Sequence, residues 1–199
     1  MADQDLKSRL NPLLVKRYSP RVFDARPIEP GVLQRLFEAA RWSASCFNEQ
    51  PWRFIVASKT NPDAFNRMLS VLVEMNQRWA KGAAALSILS ANTVFSHNAK
   101  PNKWHLYDAG QAAAHLTVQA MQEGVYVHQM AGFDPQKAIT EFSIPAEFVP
   151  ISAIALGYPG NIEDLPEDLR ARELQPRTRK PLSGMVFSKK WGSAAEFVE

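Results

Sequence analysis

The sequence predicts one domain of the α/β or α+β class, and three observations carry that reading. Helical stripes alternate with short apolar runs along all 199 residues. Hydrophobic residues make up 46% and charged residues 22%, the proportions of a globular chain with a sizeable core. No internal repeat and no linker divides the chain. Residues 1–199 are therefore expected to form a single domain, with 182–199 as a C-terminal arm that crosses onto a partner.

Residues 3–16 read as a short helix with Leu6, Leu10, Leu13 and Leu14 on one face, interrupted by Pro12. A basic turn around Pro20 follows. Pro30 suits a first helical turn, and Val32, Leu33, Leu36, Phe37 and Ala40 form the stripe of a helix over 31–43. Pro51 ends a polar loop over 43–51, and 53–57 reads as a buried strand. Asn61 is placed to cap a helix running to about Arg78. Residues 83–91 form a second apolar strand, and 92–105 a polar loop. The longest helix spans about 106–123, with Gly124 placed to end it. Its Ala109, Gly110, Ala112, Ala113 and Ala114 are all small, which allows close approach of another backbone and predicts a helix–helix seam. A third strand over 125–129, a short helix from Asp134-Pro135 and a fourth strand over 149–156 complete the pattern. Residues 161–181 are charged and proline-containing, and are expected to wrap the surface.

Several functions are excluded. A net charge of +3 with no dense Lys/Arg run gives no footprint for nucleic acid. One cysteine, Cys46, allows neither an intrachain disulfide nor a zinc site with two thiolates. No apolar stretch of about 18 residues predicts a membrane span, so a soluble cytoplasmic protein is the default expectation. The dinucleotide fingerprint, the phosphate-binding loop of nucleotide hydrolases, HExxH and GxSxG are all missing. None of the four histidines lies at i, i+4 from another, so no helical metal pair is expected, and His105 with Asp108 reads as a plain hydrogen bond.

Two basic clusters, Arg17-Tyr18-Ser19-Pro20-Arg21 and Arg177-Thr178-Arg179-Lys180-Pro181, stand at opposite ends of the chain. Side chains at alternate positions of an extended segment point the same way. Guanidinium forks so aligned suit a phosphate dianion. Between the clusters, Ser45-Cys46-Phe47-Asn48-Glu49-Gln50 and Ala131-Gly132 supply amide and backbone donors that suit a flat heteroaromatic ring. The set points to a phosphorylated, ring-bearing cofactor, FMN. Plainer readings stay open: solvated charges on a turn, loop caps at Asn48 and Gln50, a simple turn at Gly132, and a small-residue helix packed inside the monomer.

Arg17-Tyr18-Ser19-Pro20-Arg21-Val22-Phe23 resembles the R-x-S-x-[RK]-x-F opening of the FMN-dependent nitroreductase family. Five further segments follow in that family's order: Ser43 to Trp52, Asn76, Ala131-Gly132-Phe133-Asp134, Gly157-Tyr158-Pro159, and Arg177 to Pro181. The resemblance runs from about Leu13 to Pro181. It implies an α+β fold with a central mixed or antiparallel sheet flanked by helices, in an intertwined homodimer. It also implies which residues meet FMN. Arg17, Ser19, Arg177 and Arg179 hold the phosphate, with Tyr18 beside them. Arg21 lies at the N1/C2-carbonyl edge, and Asn76 at the pyrimidine edge or ribityl chain. The amides around Ala131 and Gly132 face N5 and O4. Ala44, Ser45, Cys46, Asn48 and Gln50 reach the flavin of the other subunit.

The implied activity is a ping-pong oxidoreductase. NADH or NADPH gives a hydride to flavin N5, and a nitroaromatic, quinone or similar small-molecule acceptor then takes it, with no side-chain acid or base required. The chain departs from the family pattern at Ala44, Cys46, Phe47 and Ala131, and Phe47 is expected to narrow the substrate space. The loop 92–105, with Phe95, His97, Lys100, Lys103 and Trp104, is expected to form part of a lid. Other flavin chemistry on the same fold (reductive dehalogenation or flavin cleavage), a non-enzymatic flavin-binding protein and a plain flavin-free dimer are the alternatives.

Overall fold

A computed structural model of the chain describes residues 7–198. The part of the expected N-terminal helix before Lys7 lies outside the described residues. The chain divides into two compact units, one ending at Pro166 and the other beginning at Glu167.

The larger unit is α+β. Its described elements, in chain order, are α1 (Pro12–Lys16), α2 (Pro30–Arg41), β1 (Trp52–Ser58), α3 (Pro62–Ser70), α4 (Glu74–Ala80), β2 (Ala85–Asn92), α5 (His105–Gln122), β3 (Tyr126–Met130), α6 (Pro135–Phe142) and β4 (Phe148–Gly157). The strands form one sheet in the order β1-β2-β4-β3. Every pairing is antiparallel, and the register shifts between Leu89 and Ser90. Of the mixed and antiparallel sheets expected, the antiparallel one is observed.

Three helices start by one device. Asn11, Asn61 and Asp134 each accept a backbone N–H of the first turn, and each is followed by a proline that needs no partner for its missing N–H. Lys7 and Ser8 are helical, the helix breaks over residues 9–11, and Pro12 opens α1, so the interruption expected at Pro12 is observed.

The expected single helix from Asn61 to Arg78 is two helices. Val71 and Leu72 are buried, and the stretch between α3 and α4 pairs with the loop after β3. Val73 N donates to the Gly132 carbonyl at 3.1 Å, and Asp134 N donates to the Val71 carbonyl at 2.7 Å. This long-range bridge overrides helix continuity. A second correction concerns β1. It lies at the sheet edge, so Trp52 and Ala57 are buried while Arg53 and Val56 are exposed.

One sheet face, carrying Ala85, Leu89, Val127, Ile154 and Leu156, shares a core with Leu36 and Ala40 of α2 and Leu116 of α5. Ala109, Ala112 and Ala113 are buried in that same core. Only Gly110 and Ala114 of the small-residue set face outward. Most of the predicted seam is therefore internal to the unit. Trp79 of α4 packs on His128 of β3, on the opposite sheet face.

The second unit contains α7 (Glu167–Glu173). Its tail folds back on itself through an antiparallel bridge between Phe187 and Ala194.

Candidate functional site

The basic turn lies along β3. The Tyr18 ring meets Tyr126 edge-on at 5.0 Å, and the Pro20 carbonyl accepts a hydrogen bond from His128 Nδ1 at 2.8 Å. Residues 18 and 20 thus follow 126 and 128 with the same two-residue step. The odd residues take the other side. Arg17 and Ser19 line a cavity of about 300 Å³, together with Val127 and Gln129 of β3 and Ala114 and Thr117 of α5. Arg17 Nη1 lies 3.4 Å from Ser19 Oγ. Arg17 and Ser19 thus share one side of the segment, while Arg21, the second guanidinium of the cluster, is not among the cavity-lining residues.

Thr117 and Gln129 are lining residues that the sequence reading missed. The Thr117 hydroxyl donates to the Ala113 carbonyl at 2.7 Å, so toward the cavity it offers only lone pairs. No carboxylate borders the cavity among its lining residues. Arg17, Ser19 and Gln129 are its donors, beside the acceptor Thr117 and the apolar Leu14, Ala114, Val118 and Val127. The Arg17 guanidinium with the Ser19 hydroxyl suits the phosphate end of the expected flavin.

Asn76 and Gly132 are 56 residues apart in sequence and adjacent in the fold. Asn76 Nδ2 donates to the Gly132 carbonyl at 2.9 Å. The break between α3 and α4 sets this up, because it brings Val73 and the start of α4 onto the loop after β3. Gly132 is needed for closeness, since a Cβ there would stand 2.5 Å from Asn76 Nδ2. Ala131, beside it, is exposed.

The polar loop before β1 has an unusual backbone. Phe47, Asn48 and Gln50 have φ of 55°, 56° and 50°, all in the left-handed region. Buried Asp108 of α5 accepts the Cys46 N–H at 3.0 Å. Ser45 Oγ accepts Gln50 N–H at 2.9 Å, and the Gln50 amide donates to Asn48 Oδ1 at 3.1 Å. Glu49 reaches the loop 92–105, where it accepts Ser96 N–H at 2.8 Å. Phe47 meets Phe95 and His97 there, each at 5.7 Å between ring centres. The polar loop and the expected lid are one connected structure. Ala44 is exposed beside it, and Cys46 is a half-buried free thiol.

The reading of His105 with Asp108 as a bonded pair is not what forms. His105 Nδ1 bonds the Asn102 carbonyl at 2.6 Å, while Asp108 serves Cys46. Among the described residues no cluster of His, Cys, Asp or Glu is arranged to hold a metal. No described helix is long and apolar enough to cross a membrane.

His128 is the one strongly shifted group at the site. Burial, and then the positive charge of Arg21, push its pKa down to about 4 against the opposing pull of the backbone at Pro20 and Ser19. Sequence reasoning missed it, because a single His in a strand carries no motif. Arg177 and Arg179 belong to the second unit, between α7 and a short turn at Leu182–Gly184. Both are exposed, and Arg179 Nη1 donates to the Thr178 carbonyl at 2.7 Å.

Residues 14–158 match the model of the nitroreductase family. The chain is 31% identical over 147 residues to an uncharacterized 15.4 kDa protein from the ask 5′ region of Mycolicibacterium smegmatis, covering 71% of this chain and 98% of that protein. It is 27% identical over 164 residues to an Archaeoglobus fulgidus protein provisionally named an NADH dehydrogenase/NAD(P)H nitroreductase, covering 78% and 88%. The crystal structure of an oxidoreductase containing FMN superposes with a TM-score of 0.87 at 34% identity, over 92% of this chain and 93% of that one. With the family model spanning most of the chain, and the fold agreeing with it, this protein belongs to the nitroreductase family.

Proposed function

We propose that the chain is an FMN-dependent oxidoreductase, acting as a cytoplasmic homodimer, that passes electrons from NADH or NADPH to a nitroaromatic, quinone or similar electron-poor acceptor. The observation that carries this is the side-by-side placement of Arg17 and Ser19 on a cavity free of carboxylates. FMN, when bound, supplies the hydride chemistry, and the chain supplies binding and orientation.

In this reading Arg17 and Ser19 hold the phosphate, with Arg177 and Arg179 as the further phosphate ligands that the family resemblance implies. Arg21 brings a fixed positive charge to the ring edge and tunes its potential. Asn76, locked to Gly132, orients the pyrimidine side. Ala44, Ser45, Cys46, Asn48 and Gln50 complete the site of the partner subunit. No step calls for a side-chain acid or base; positioning does the work.

The test is a visible spectrum of the protein after mixing with excess FMN and desalting, followed by titration with NADH and NADPH. Retained flavin bands that bleach with either reductant are expected. Arg17→Ala should weaken FMN binding by about 10- to 100-fold, the value of one charge-assisted bond. Full flavin occupancy in the double variant Arg17→Ala, Arg179→Ala refutes the phosphate assignment. A colourless protein refutes the whole reading.

A further inference from the structure

From behind, the side chain of His128 bonds the backbone of the basic turn. His128 Nδ1 lies 2.8 Å from the Pro20 carbonyl, across 108 residues of sequence. A carbonyl oxygen only accepts, so Nδ1 carries the proton. Trp79 braces the ring, at 4.4 Å between centres and 36° between planes. Trp79 in turn packs near Phe23, at 6.4 Å. The imidazole is thus fixed in direction, with its proton aimed at the backbone between Ser19 and Arg21.

We propose that His128 is the positioning residue of the cofactor-binding turn: its Nδ1–H clamps Pro20 to β3 and so sets where Arg17, Ser19 and Arg21 present their donors. The inference rests on the flavin reading of the site. Pro20 is the pivot, because Arg21 follows it directly and Ser19 precedes it. The step shared by Tyr18 over Tyr126 and Pro20 under His128 keeps Arg17 and Ser19 on the cavity side. Released from His128, the turn keeps Tyr18 on Tyr126 but loses the hydrogen bond that ties its backbone at Pro20 to β3. Burial and the nearby Arg21 charge keep the ring from taking a second proton near neutral pH, so the clamp does not switch under ordinary conditions.

Two variants separate clamping from packing. His128→Asn keeps an N–H near the Nδ1 position and loses the ring on Trp79. His128→Phe keeps the ring and loses the N–H. FMN affinity is measured by flavin fluorescence titration on the full chain, and the midpoint potential of the bound flavin by dye equilibration. His128→Phe is expected to bind FMN about tenfold more weakly, the value of one hydrogen bond. Its potential should also move to a more negative value as the Arg21 charge loses its place. His128→Asn is expected to restore both. If His128→Phe fails to fold, His128→Gln replaces it with the same expectation, since its amide reaches the Nε2 position instead. Long-range 1H–15N NMR of the flavin-free protein reads the tautomer directly, with Nδ1–H expected and Nε2–H overturning the clamp. A wild type that binds FMN alongside a His128→Phe variant that binds it equally overturns this inference alone. A His128→Asn variant worse than His128→Phe does the same, because packing is then what matters. A wild type that binds no FMN removes the flavin reading and this inference with it.

Discussion

Replacing Gly132 with Ala puts a methyl group 2.5 Å from Asn76 Nδ2 and 2.9 Å from Val73 Cγ2. Both separations are inside van der Waals contact, so both side chains must move. The Gly132 backbone is not left-handed, so the clash itself is the cost. Asn76 makes room by giving up its 2.9 Å bond to the Gly132 carbonyl, worth about 1 kcal/mol. Crowding against Val73 adds at least about 1 kcal/mol. The sum of about 2 kcal/mol lowers Tm by about 4–8 °C in a chain of this size. The assay is thermal unfolding followed by circular dichroism, for Gly132→Ala, Asn76→Ala and the double variant. With Asn76 already truncated, the new methyl meets only Val73. Gly132→Ala should then cost about 1 kcal/mol less than in the wild type. Equal cost in both backgrounds refutes the reasoning, because Asn76 is then not what the methyl displaces.

Three further outcomes are expected. Asp108→Ala leaves the Cys46 N–H without its acceptor, so stability falls by about 1–3 kcal/mol and Cys46 is labelled faster by a thiol reagent; an unchanged labelling rate refutes the role of Asp108. Ser143 ends α6 with φ 50° and ψ 45°, so Ser143→Gly should stabilise the protein by about 0.5–1 kcal/mol, seen as a higher Tm. His128 has a pKa of about 4 in the fold, below its ordinary value of 6.5. The unfolded chain therefore binds the extra proton first, and stability falls as pH drops from 6.5 toward 4. The fall is up to about 3 kcal/mol, and urea titrations across that range should show it flattened in His128→Phe.

β2 and β4 were legible as apolar runs bounded by turn residues, and β1 and β3 as shorter runs between turns despite Arg53, His128 and Gln129. The α3–α4 break was not, because Val71-Leu72-Val73 fits a helical stripe as well as a bridge. Only the partner at 132–134, far along the chain, decides between them. The break at Pro12 was legible because a proline cannot continue a helix, and the same proline then opens α1 after Asn11. At the site, extended geometry predicts that residues two apart share a side, as Arg17 and Ser19 do, but it did not place Arg21. The contact of Asn76 with Gly132 was not legible; the family resemblance only implied that each lies near the same ring. The roles of His128 and Asp108 were not legible, since each acts on backbone far away in sequence: Pro20 lies 108 residues from His128, and Cys46 lies 62 from Asp108.

The polar loop before β1 shows why such partners matter. Its sequence contains no glycine, yet Phe47, Asn48 and Gln50 all sit at positive φ. Each such residue costs about 1–2 kcal/mol, with asparagine the most tolerant. Left alone, the segment would relax. Asp108 holds it at Cys46, Ser45 holds it at Gln50, and Glu49 fastens it to Ser96. Three anchors on six residues over-determine the shape, and strain kept in this way marks positions where shape serves function. The Phe47 ring, 79% exposed, gains little from burial to offset its backbone. Its conformation instead sets the side chain against Phe95 and His97, which ties the predicted flavin-contacting loop to the predicted lid. A substitution that relaxes φ at Phe47 therefore acts on both loops at once, and its effect on acceptor choice should exceed its effect on FMN affinity.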